Sequence, residues 1–211
     1  HSVCEKYFES NRELDKAFFF GEMLRKELKS LEKSGNVLKE KDIKDFYNQG
    51  IGIVAELDAA FDSYFPEGFK FIKAEETLME HIGEFTEADY KFKGYIDLIV
   101  QTPDGKYHVI DYKSCSWGWD AKKRSSRMIT YQLTLYKHYW AQKMGVDPSM
   151  VETHFALLKR TQKEGEKVEI FRVTSGSRKT QNALNLIKKA LYNINTKNHI
   201  KNRLSCRRCE F

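Results

Sequence analysis

Apolar residues recur at helical spacing in two long stretches near the start of the chain. The first covers residues 11–33 and ends at Ser34-Gly35, and the second covers about residues 39–64 and ends at Pro66-Glu67-Gly68. One face of an α-helix repeats about every 3.6 residues. The two stretches therefore predict two helices, each closed by turn-forming residues.

Short runs rich in β-branched and aromatic residues replace this spacing after residue 68. Such runs predict strands, and Thr102-Pro103-Asp104-Gly105 predicts a hairpin turn between the second and the third. The predicted strands cover residues 69–79, 90–101, 106–113, 153–159 and 167–173, and two further predicted helices cover residues 126–143 and 181–192. This order of elements predicts an α/β fold with a mixed central sheet flanked by helices.

The same pattern divides the chain into three parts. We expect a helical N-terminal part over residues 1–68, a core that contains the sheet over residues 69–195, and a C-terminal tail over residues 196–211. The length of 211 residues suits one domain with an appended helical part.

Charge and composition narrow the class of protein. The net charge of +6 favours a polyanionic partner such as nucleic acid, although many basic proteins bind none. There is no run of about 18 apolar residues, so we expect neither a membrane span nor a signal peptide. Four cysteines are too few for a disulfide scaffold. We therefore expect a cytoplasmic protein whose cysteines are thiols or metal ligands.

Each of the two strands joined by the hairpin carries an aspartate among apolar neighbours. Asp97 follows Gly94-Tyr95-Ile96, and Asp111 opens the triplet Asp111-Tyr112-Lys113. A carboxylate in such a strand is costly unless it lies at a strand end or holds a cation. Strand residues alternate between faces, so Asp111 and Lys113 project from one face, and the hairpin can bring Asp97 beside them.

Two carboxylates and one ammonium at a sheet edge suit the hydrolysis of phosphodiesters. Carboxylates hold Mg²⁺ or Mn²⁺, the metal polarises the phosphate and activates water, and Lys113 offsets the developing negative charge. Two plainer explanations stay open at this point. Asp-x-Lys arises by chance in a chain this rich in charge, and a surface hairpin can carry a cross-strand ion pair.

The surrounding motifs resemble those of the PD-(D/E)xK nucleases, in particular the RecB-like exonuclease branch, which includes CRISPR adaptation exonucleases, AddB-type nuclease domains and phage exonucleases. That branch combines Gly-x-[Ile/Val]-Asp, a hairpin, a strand ending in Asp-x-Lys and a helix with Gln-x-x-x-Tyr. Here these motifs are Gly94 to Asp97, Asp111 to Lys113 and Gln132 to Tyr136. The similarity covers residues 69–140 well and the rest only in layout. It implies a restriction-endonuclease-like fold and a Mg²⁺- or Mn²⁺-dependent DNA exonuclease.

The resemblance also implies roles for individual residues. The implied catalytic residues are Asp97, Asp111, Lys113, Glu75, Gln132 and Tyr136, and the implied metal ligands are Asp97, Asp111 and the backbone carbonyl of Tyr112. Either Glu75 or Glu76 can be the acidic residue expected on the preceding strand. Gln132 and Tyr136 are one helical turn apart and share a face, where they contact DNA or hold the metal ligands, unless Tyr136 is simply part of the core.

Basic and aromatic residues near the motifs suit single-stranded DNA, because bases stack on rings and phosphates pair with cations. We expect DNA contacts from Trp117, Lys122, Lys123, Arg124 and Arg127, although a solvated loop explains these residues almost as well. The branch often has a metal-binding His in Gly-x-x-x-His on the first helix, where this chain has Arg25. Arg25 cannot bind metal but can bind a DNA phosphate, which puts the number of metals and full activity in doubt.

Three cysteines match part of an iron–sulfur pattern found in several RecB-like nucleases. Cys4 corresponds to the early cysteine of that pattern, and Cys206 and Cys209 correspond to its late Cys-x-x-Cys. The pattern needs one more cysteine after these, and three thiolates are fewer than the usual four ligands of a 4Fe–4S cluster. A 4Fe–4S cluster, a zinc site and free thiols therefore stay as alternatives.

Three functions are compatible with these patterns. The first is a metal-dependent DNA exonuclease of recombination, repair or phage DNA metabolism, which acts on DNA with a single-stranded portion or a free end. The sequence does not say whether it has a helicase or recombinase partner. The second is a nucleic-acid-binding module with this fold and weak or no cleavage activity, suggested by Arg25. The third is an unrelated basic α/β protein whose Asp-x-Lys is coincidental.

Overall fold

A mixed five-stranded sheet lies at the centre of the computed structural model, which describes residues 1–83 and 90–199. The strands are β1 Lys70–His81, β2 Lys91–Gln101, β3 Tyr107–Cys115, β4 Val151–Lys159 and β5 Val168–Arg172. They follow one another in sheet order, and neighbours are antiparallel except β3 and β4, which are parallel. The predicted strands and the predicted mixed sheet are confirmed.

Helices lie on both faces of this sheet. They are α1 Ser2–Glu9, α2 Lys16–Lys33, α3 Glu40–Tyr64, α4 Ala121–Arg124, α5 Arg127–Met144 and α6 Ser177–Asn195, with a 3₁₀ turn at Pro148–Met150. The sequence pattern misses α1 and α4, because eight and four residues are too few to show a period. In the described part of the chain, no helix has the length and apolar character needed to cross a membrane.

Each face of the sheet has its own apolar cluster. On one face, Phe8 of α1 and Leu57 of α3 pack with strand residues that include Ile110. On the other face, Leu133 of α5 packs with strand residues that include Val109. Because successive strand residues point to opposite faces, the side chain of every second β3 residue after Val109 lies under α5. This alternation decides which side of the sheet carries the candidate site.

Candidate active site

The sheet opens between β2 and β3 at the two motif aspartates. The pairing of these strands extends from the hairpin to Leu98 and Ile110, and the next residues on the two strands are Asp97 and Asp111. Both strands keep their outer partners, β1 and β4, beyond this point. The two carboxylates therefore lie at this opening, where the β2–β3 ladder ends.

Asp111 is a buried carboxylate with an incompletely satisfied oxygen. It is 2% exposed, and its Oδ2 lies 2.7 Å from Nζ of Lys113. Within residues 1–83 and 90–199, no group donates a well-aligned hydrogen bond to that oxygen. Burial raises the pKa of Asp111 to about 6, and the Lys113 ammonium limits the rise. The carboxylate thus carries a desolvation cost that a cation would offset.

The backbone of β3 fixes the orientation of Asp97. The N–H of Tyr112 donates a hydrogen bond to Asp97 Oδ2 at 2.6 Å. Burial raises the pKa of Asp97, while this hydrogen bond and the charge of Lys113 lower it. One carboxylate oxygen of Asp97 is therefore held in place, and the other stays available for a ligand.

Glu75, rather than Glu76, is the acidic residue that β1 brings to the site. The register of β1 and β2 pairs the residues on either side of Glu75 with the residues on either side of Asp97. Burial raises the pKa of Glu75, and the charge of Asp97 adds to the rise. The backbone of Glu75 has a φ of 47°, which is uncommon outside glycine and tends to occur at functional sites. Glu76 instead accepts a hydrogen bond from Lys143 Nζ at 2.6 Å.

The pair on α5 packs against β2 through the motif glycine. Gln132 Nε2 donates to the hydroxyl of Tyr136 at 2.9 Å, which confirms that the two residues share a face. Burial raises the pKa of Tyr136, and the charge of Asp111 makes a smaller contribution in the same direction. A Cβ atom on Gly94 would lie 2.7 Å from Cε1 of Tyr136. Only glycine at this position lets β2 approach the tyrosine ring so closely.

The carboxylates form the kind of oxygen donor set that holds Mg²⁺ or Mn²⁺. Asp111 supplies the buried oxygen without an aligned donor, Asp97 has one oxygen oriented by the backbone, and Glu75 lies on β1 between residues that pair with the neighbours of Asp97. A buried carboxylate oxygen needs a hydrogen bond or a cation, so these residues fit a divalent metal ion. The backbone carbonyl of Tyr112 as a further ligand stays a prediction.

Family comparison agrees with this geometry. The whole chain, residues 1–211, matches the model of the PD-(D/E)XK nuclease superfamily. The chain belongs to this superfamily. The family resemblance and the restriction-endonuclease-like fold class expected from the sequence are therefore confirmed.

The solved structures that match this PD-(D/E)XK nuclease include two at low sequence identity. A "putative exonuclease" from Eubacterium rectale is 16% identical, and the match covers 97% of this chain and 77% of that protein with a TM-score of 0.52. At this identity the likeness shows the fold alone. The protein SSO0001 is 15% identical over 83% of this chain and 86% of its own, with a TM-score of 0.42 that supports no conclusion. No curated protein matches the sequence significantly.

The loop after β3 of the nuclease is anchored to the β4–β5 connection. The N–H of Thr161 donates to the carbonyl of Ser116 at 3.1 Å, and Gln162 Nε2 donates to the carbonyl of Trp117 at 3.1 Å. Trp119 is 8% exposed and belongs to the core, whereas Trp117 is 69% exposed. Of the two tryptophans, only Trp117 presents a ring on which a base could stack.

The cations predicted to contact DNA differ in whether they already have a partner within the protein. Arg124 pairs with Glu169 at 2.6 Å and so ties α4 to β5. The ammonium of Lys123 lies over a buried indole ring at 4.7 Å. Lys122 and Arg127 are exposed. Lys122 and Arg127 are therefore the members of this set most available to a nucleic acid, and the DNA contacts of all four stay predictions.

Arg25 lies on the exposed side of α2. Its guanidinium pairs with Glu22, one turn earlier on the same helix. Within the described ranges, no contact joins Arg25 to Asp97 or Asp111. The helix therefore presents a paired cation where many relatives of the RecB-like branch have a histidine, and its contact with DNA stays a prediction.

The three cysteines of the iron–sulfur hypothesis are only partly within the described residues. Cys4 is 2% exposed in the cluster under α1 and α3, and burial raises the pKa of its thiol to about 11. Cys206 and Cys209 lie outside the described residues. A cluster or zinc site that joins them stays a prediction.

A second group of ligand-type side chains lies on β3 and β4, on the face opposite Asp111. Nitrogens of His108 and His154 and an oxygen of Glu152 lie within 4.8 Å of one another. His108 Nδ1 is 2.9 Å from His154 Nε2, and the outer ring nitrogens lie 2.9 Å from the hydroxyls of Thr102 and Tyr64. Burial lowers the pKa of His108 and lowers that of His154 to about 3. The sequence does not show this group, since only the parallel register of β3 and β4 brings its members together.

Proposed function

We propose that this chain is a Mg²⁺- or Mn²⁺-dependent exonuclease that hydrolyses phosphodiester bonds in DNA. The observation that carries the proposal is the group of Asp97, Asp111, Glu75 and Lys113 at the opening between β2 and β3. Perturbed pKa values cluster at functional sites, and here two buried carboxylates with raised pKa values lie near a lysine. Membership in the nuclease superfamily supports the same chemistry.

Each residue of the group has a task that its contacts favour. A divalent cation, when bound, polarises the scissile phosphodiester and activates water. Asp97 and Asp111 hold the cation, and the Tyr112 N–H, at 2.6 Å from Asp97 Oδ2, keeps that carboxylate in one orientation. The Lys113 ammonium, 2.7 Å from Asp111, offsets negative charge that develops on the phosphate.

Further features support DNA with a single-stranded portion or a free end as the substrate. The motifs resemble those of RecB-like exonucleases, and the neighbour from Eubacterium rectale carries the description of a putative exonuclease. Trp117 presents an exposed ring within a few residues of Lys113, where it can stack on an unpaired base. Recombination, repair and phage DNA metabolism are the settings in which such an enzyme acts, with or without a helicase or recombinase partner.

A nucleic-acid-binding module with weak or no cleavage activity is the second candidate. Arg25 favours it, because this residue replaces the histidine that many related nucleases use as a metal ligand and is engaged with Glu22. The two candidates differ in a single measurable property. Only the first shortens DNA in the presence of a divalent metal ion.

End-labelled linear DNA and circular single-stranded DNA together test both candidates. We expect the wild type to shorten linear DNA from an end in Mn²⁺, to spare the circle, and to be inactive in chelator. Lys113→Ala should abolish most of the activity, whereas Lys41→Ala, which removes an exposed charge on α3, should not. Cleavage of the circle would contradict an exonuclease, and DNA binding without cleavage in Mn²⁺ would favour the binding module.

A further inference from the structure

A cavity of about 470 Å³ lies between the first turns of α5 and α6. Its wall includes Arg127, Thr130 and Tyr131 from α5 and Ser177, Arg178 and Lys179 from α6. No aspartate or glutamate is among the residues that line it. The cavity is therefore polar and of one charge sign, which suits an anion.

Two of the cations in this wall are not neutralised. Arg127 and Arg178 are exposed, and neither has an ion pair or hydrogen bond with any residue in the described ranges, in contrast to Arg124, which pairs with Glu169 at 2.6 Å. Lys179 donates to the backbone carbonyl of Thr174 at 2.9 Å, which holds its ammonium in the wall. Two guanidinium groups with all their donors free can form bidentate contacts with a phosphate.

The cavity also shares helix α5 with the candidate active site. Arg127 precedes Gln132 by five positions on α5, and five residues of an α-helix span about 7.5 Å. Gln132 in turn binds Tyr136, whose ring packs on the strand that carries Asp97. The cavity and the carboxylates are therefore connected through α5, and a DNA strand whose scissile phosphate lies at the carboxylates can continue along this helix toward the cavity.

We propose that this cavity binds a backbone phosphate of the DNA strand, apart from the phosphate that is cleaved. Arg127 and Arg178 contact the phosphate oxygens, and Ser177, an exposed residue of the same wall, can donate a further hydrogen bond. This inference rests on the proposed function, because it takes DNA as the substrate. It adds Arg178, which lies far from the motifs in sequence, to the DNA-contacting residues.

The test is the salt dependence of binding to a fluorescein-labelled single-stranded oligonucleotide in chelator, where no cleavage occurs. Fluorescence anisotropy is measured for the wild type, for the double variant Arg127→Ala/Arg178→Ala and for the control Lys41→Ala/Lys44→Ala, which removes two exposed lysines of α3. The arginine variant should bind about tenfold more weakly, and its plot of log Kobs against log salt should be shallower by about 0.7, the value of one lost phosphate contact on a single strand. The control should keep the wild-type slope.

Unchanged affinity and slope in the arginine variant would overturn the inference, and so would a wild type that does not bind the oligonucleotide. A thermal-shift arm with inorganic phosphate separates the sources of the anion. If phosphate stabilises the wild type but the arginine substitutions leave DNA binding intact, the cavity holds a free phosphate rather than DNA. Equal melting temperatures of the unliganded proteins exclude misfolding as the cause of weaker binding.

A failure of this inference can be distinguished from a failure of the proposed nuclease activity. Metal-dependent cleavage with an unchanged slope would remove the phosphate site alone. A shallower slope without cleavage in Mn²⁺ would remove the exonuclease and leave a DNA-binding cavity.

Discussion

Gly94→Ala places one methyl group where β2 meets α5. The new Cβ would lie 2.7 Å from Cε1 of Tyr136 and 3.2 Å from Cε1 of Phe92. Carbon atoms in contact normally stay about 3.5–4.0 Å apart, so the tyrosine ring must move by about 1 Å. Tyr136 is 7% exposed and cannot swing into solvent, so the shift passes to α5 and to the 2.9 Å hydrogen bond with Gln132.

The energetic effect is the difference between two opposing contributions. An extra methyl group in a packed interior costs about 1–3 kcal/mol, whereas replacing glycine where the backbone allows alanine gains about 0.4–1 kcal/mol from the unfolded chain. Gly94 is not among the residues with positive φ, so alanine fits the backbone and the clash decides the sign. We expect a net loss of about 1–2 kcal/mol of folding stability. A 1 Å misplacement can cost on the order of a hundredfold in rate. We therefore expect the cleavage rate to fall by more than the loss of folding stability alone would cause.

Urea denaturation and cleavage of end-labelled DNA measure these two effects. Gly21→Ala is the matched control, because its nearest side-chain atom, on Tyr47, is 3.8 Å away and alanine should stabilise α2 by up to about 1 kcal/mol. A Tyr136→Leu background should reduce the cost of Gly94→Ala, since the clashing ring is then absent. If Gly94→Ala is as stable and as active as the wild type, the close packing of β2 on Tyr136 is not what the motif glycine provides.

Three further predictions concern charged and titratable groups. Lys113→Ala should leave the fold intact but lower the cleavage rate at least about a hundredfold; a wild-type rate would show that Lys113 is outside the active site. Asp97→Ala and Asp111→Ala should weaken Mn²⁺ binding in calorimetry and abolish hydrolysis, while DNA binding in chelator persists; unchanged Mn²⁺ affinity in both would exclude the metal site. His154 has a folded pKa of about 3 against an ordinary value of 6.5, so its neutral form stabilises the fold above pH 6.5, and this stability is lost as the pH falls below that value. Between pH 7 and pH 5, the wild type should lose about 2 kcal/mol more stability than His154→Gln, and parallel pH profiles would refute the burial of a neutral ring.

Local pattern was sufficient to predict the strands, the long helices and the core of the candidate site. The period of apolar residues reports which elements form, and the alternation along β3 places Asp111 and Lys113 on one face, where they form an ion pair. The hairpin turn then sets the register that pairs Leu98 with Ile110 and makes Asp97 and Asp111 the next residues on the two strands. These features depend on neighbours close in sequence, which is why periodicity and turn residues are enough to predict them.

Contacts between distant segments could not be predicted in this way. Glu75 and Glu76 are adjacent, and the choice between them is decided by Asp97 on one strand and Lys143 on a helix. Arg124 has the same sequence context as its basic neighbours, yet it pairs with Glu169. In each case the partner lies more than 20 positions away, and a single sequence holds no local signal for such a contact.

Two groups of ionisable residues include members of β3, and they differ in whether their polar atoms already have hydrogen-bond or ion-pair partners. The rings of His108 and His154 are hydrogen-bonded to each other and to two hydroxyls. Glu152 forms an ion pair with Arg172 at 3.1 Å. A metal ion there would have to break the histidine contact and compete with an arginine.

At Asp111, in contrast, a buried oxygen is incompletely satisfied. Its buried Oδ2 has no aligned donor in the described part of the chain, although Lys113 Nζ lies 2.7 Å away. A divalent cation would complete the surroundings of this oxygen and offset the burial that raises the pKa of the carboxyl to about 6. Buried polar groups are nearly always satisfied in folded proteins, and a buried carboxylate oxygen without an aligned donor is one that a cation can satisfy. By this criterion we expect the metal ion at Asp111 rather than at the histidine group on the α3 face.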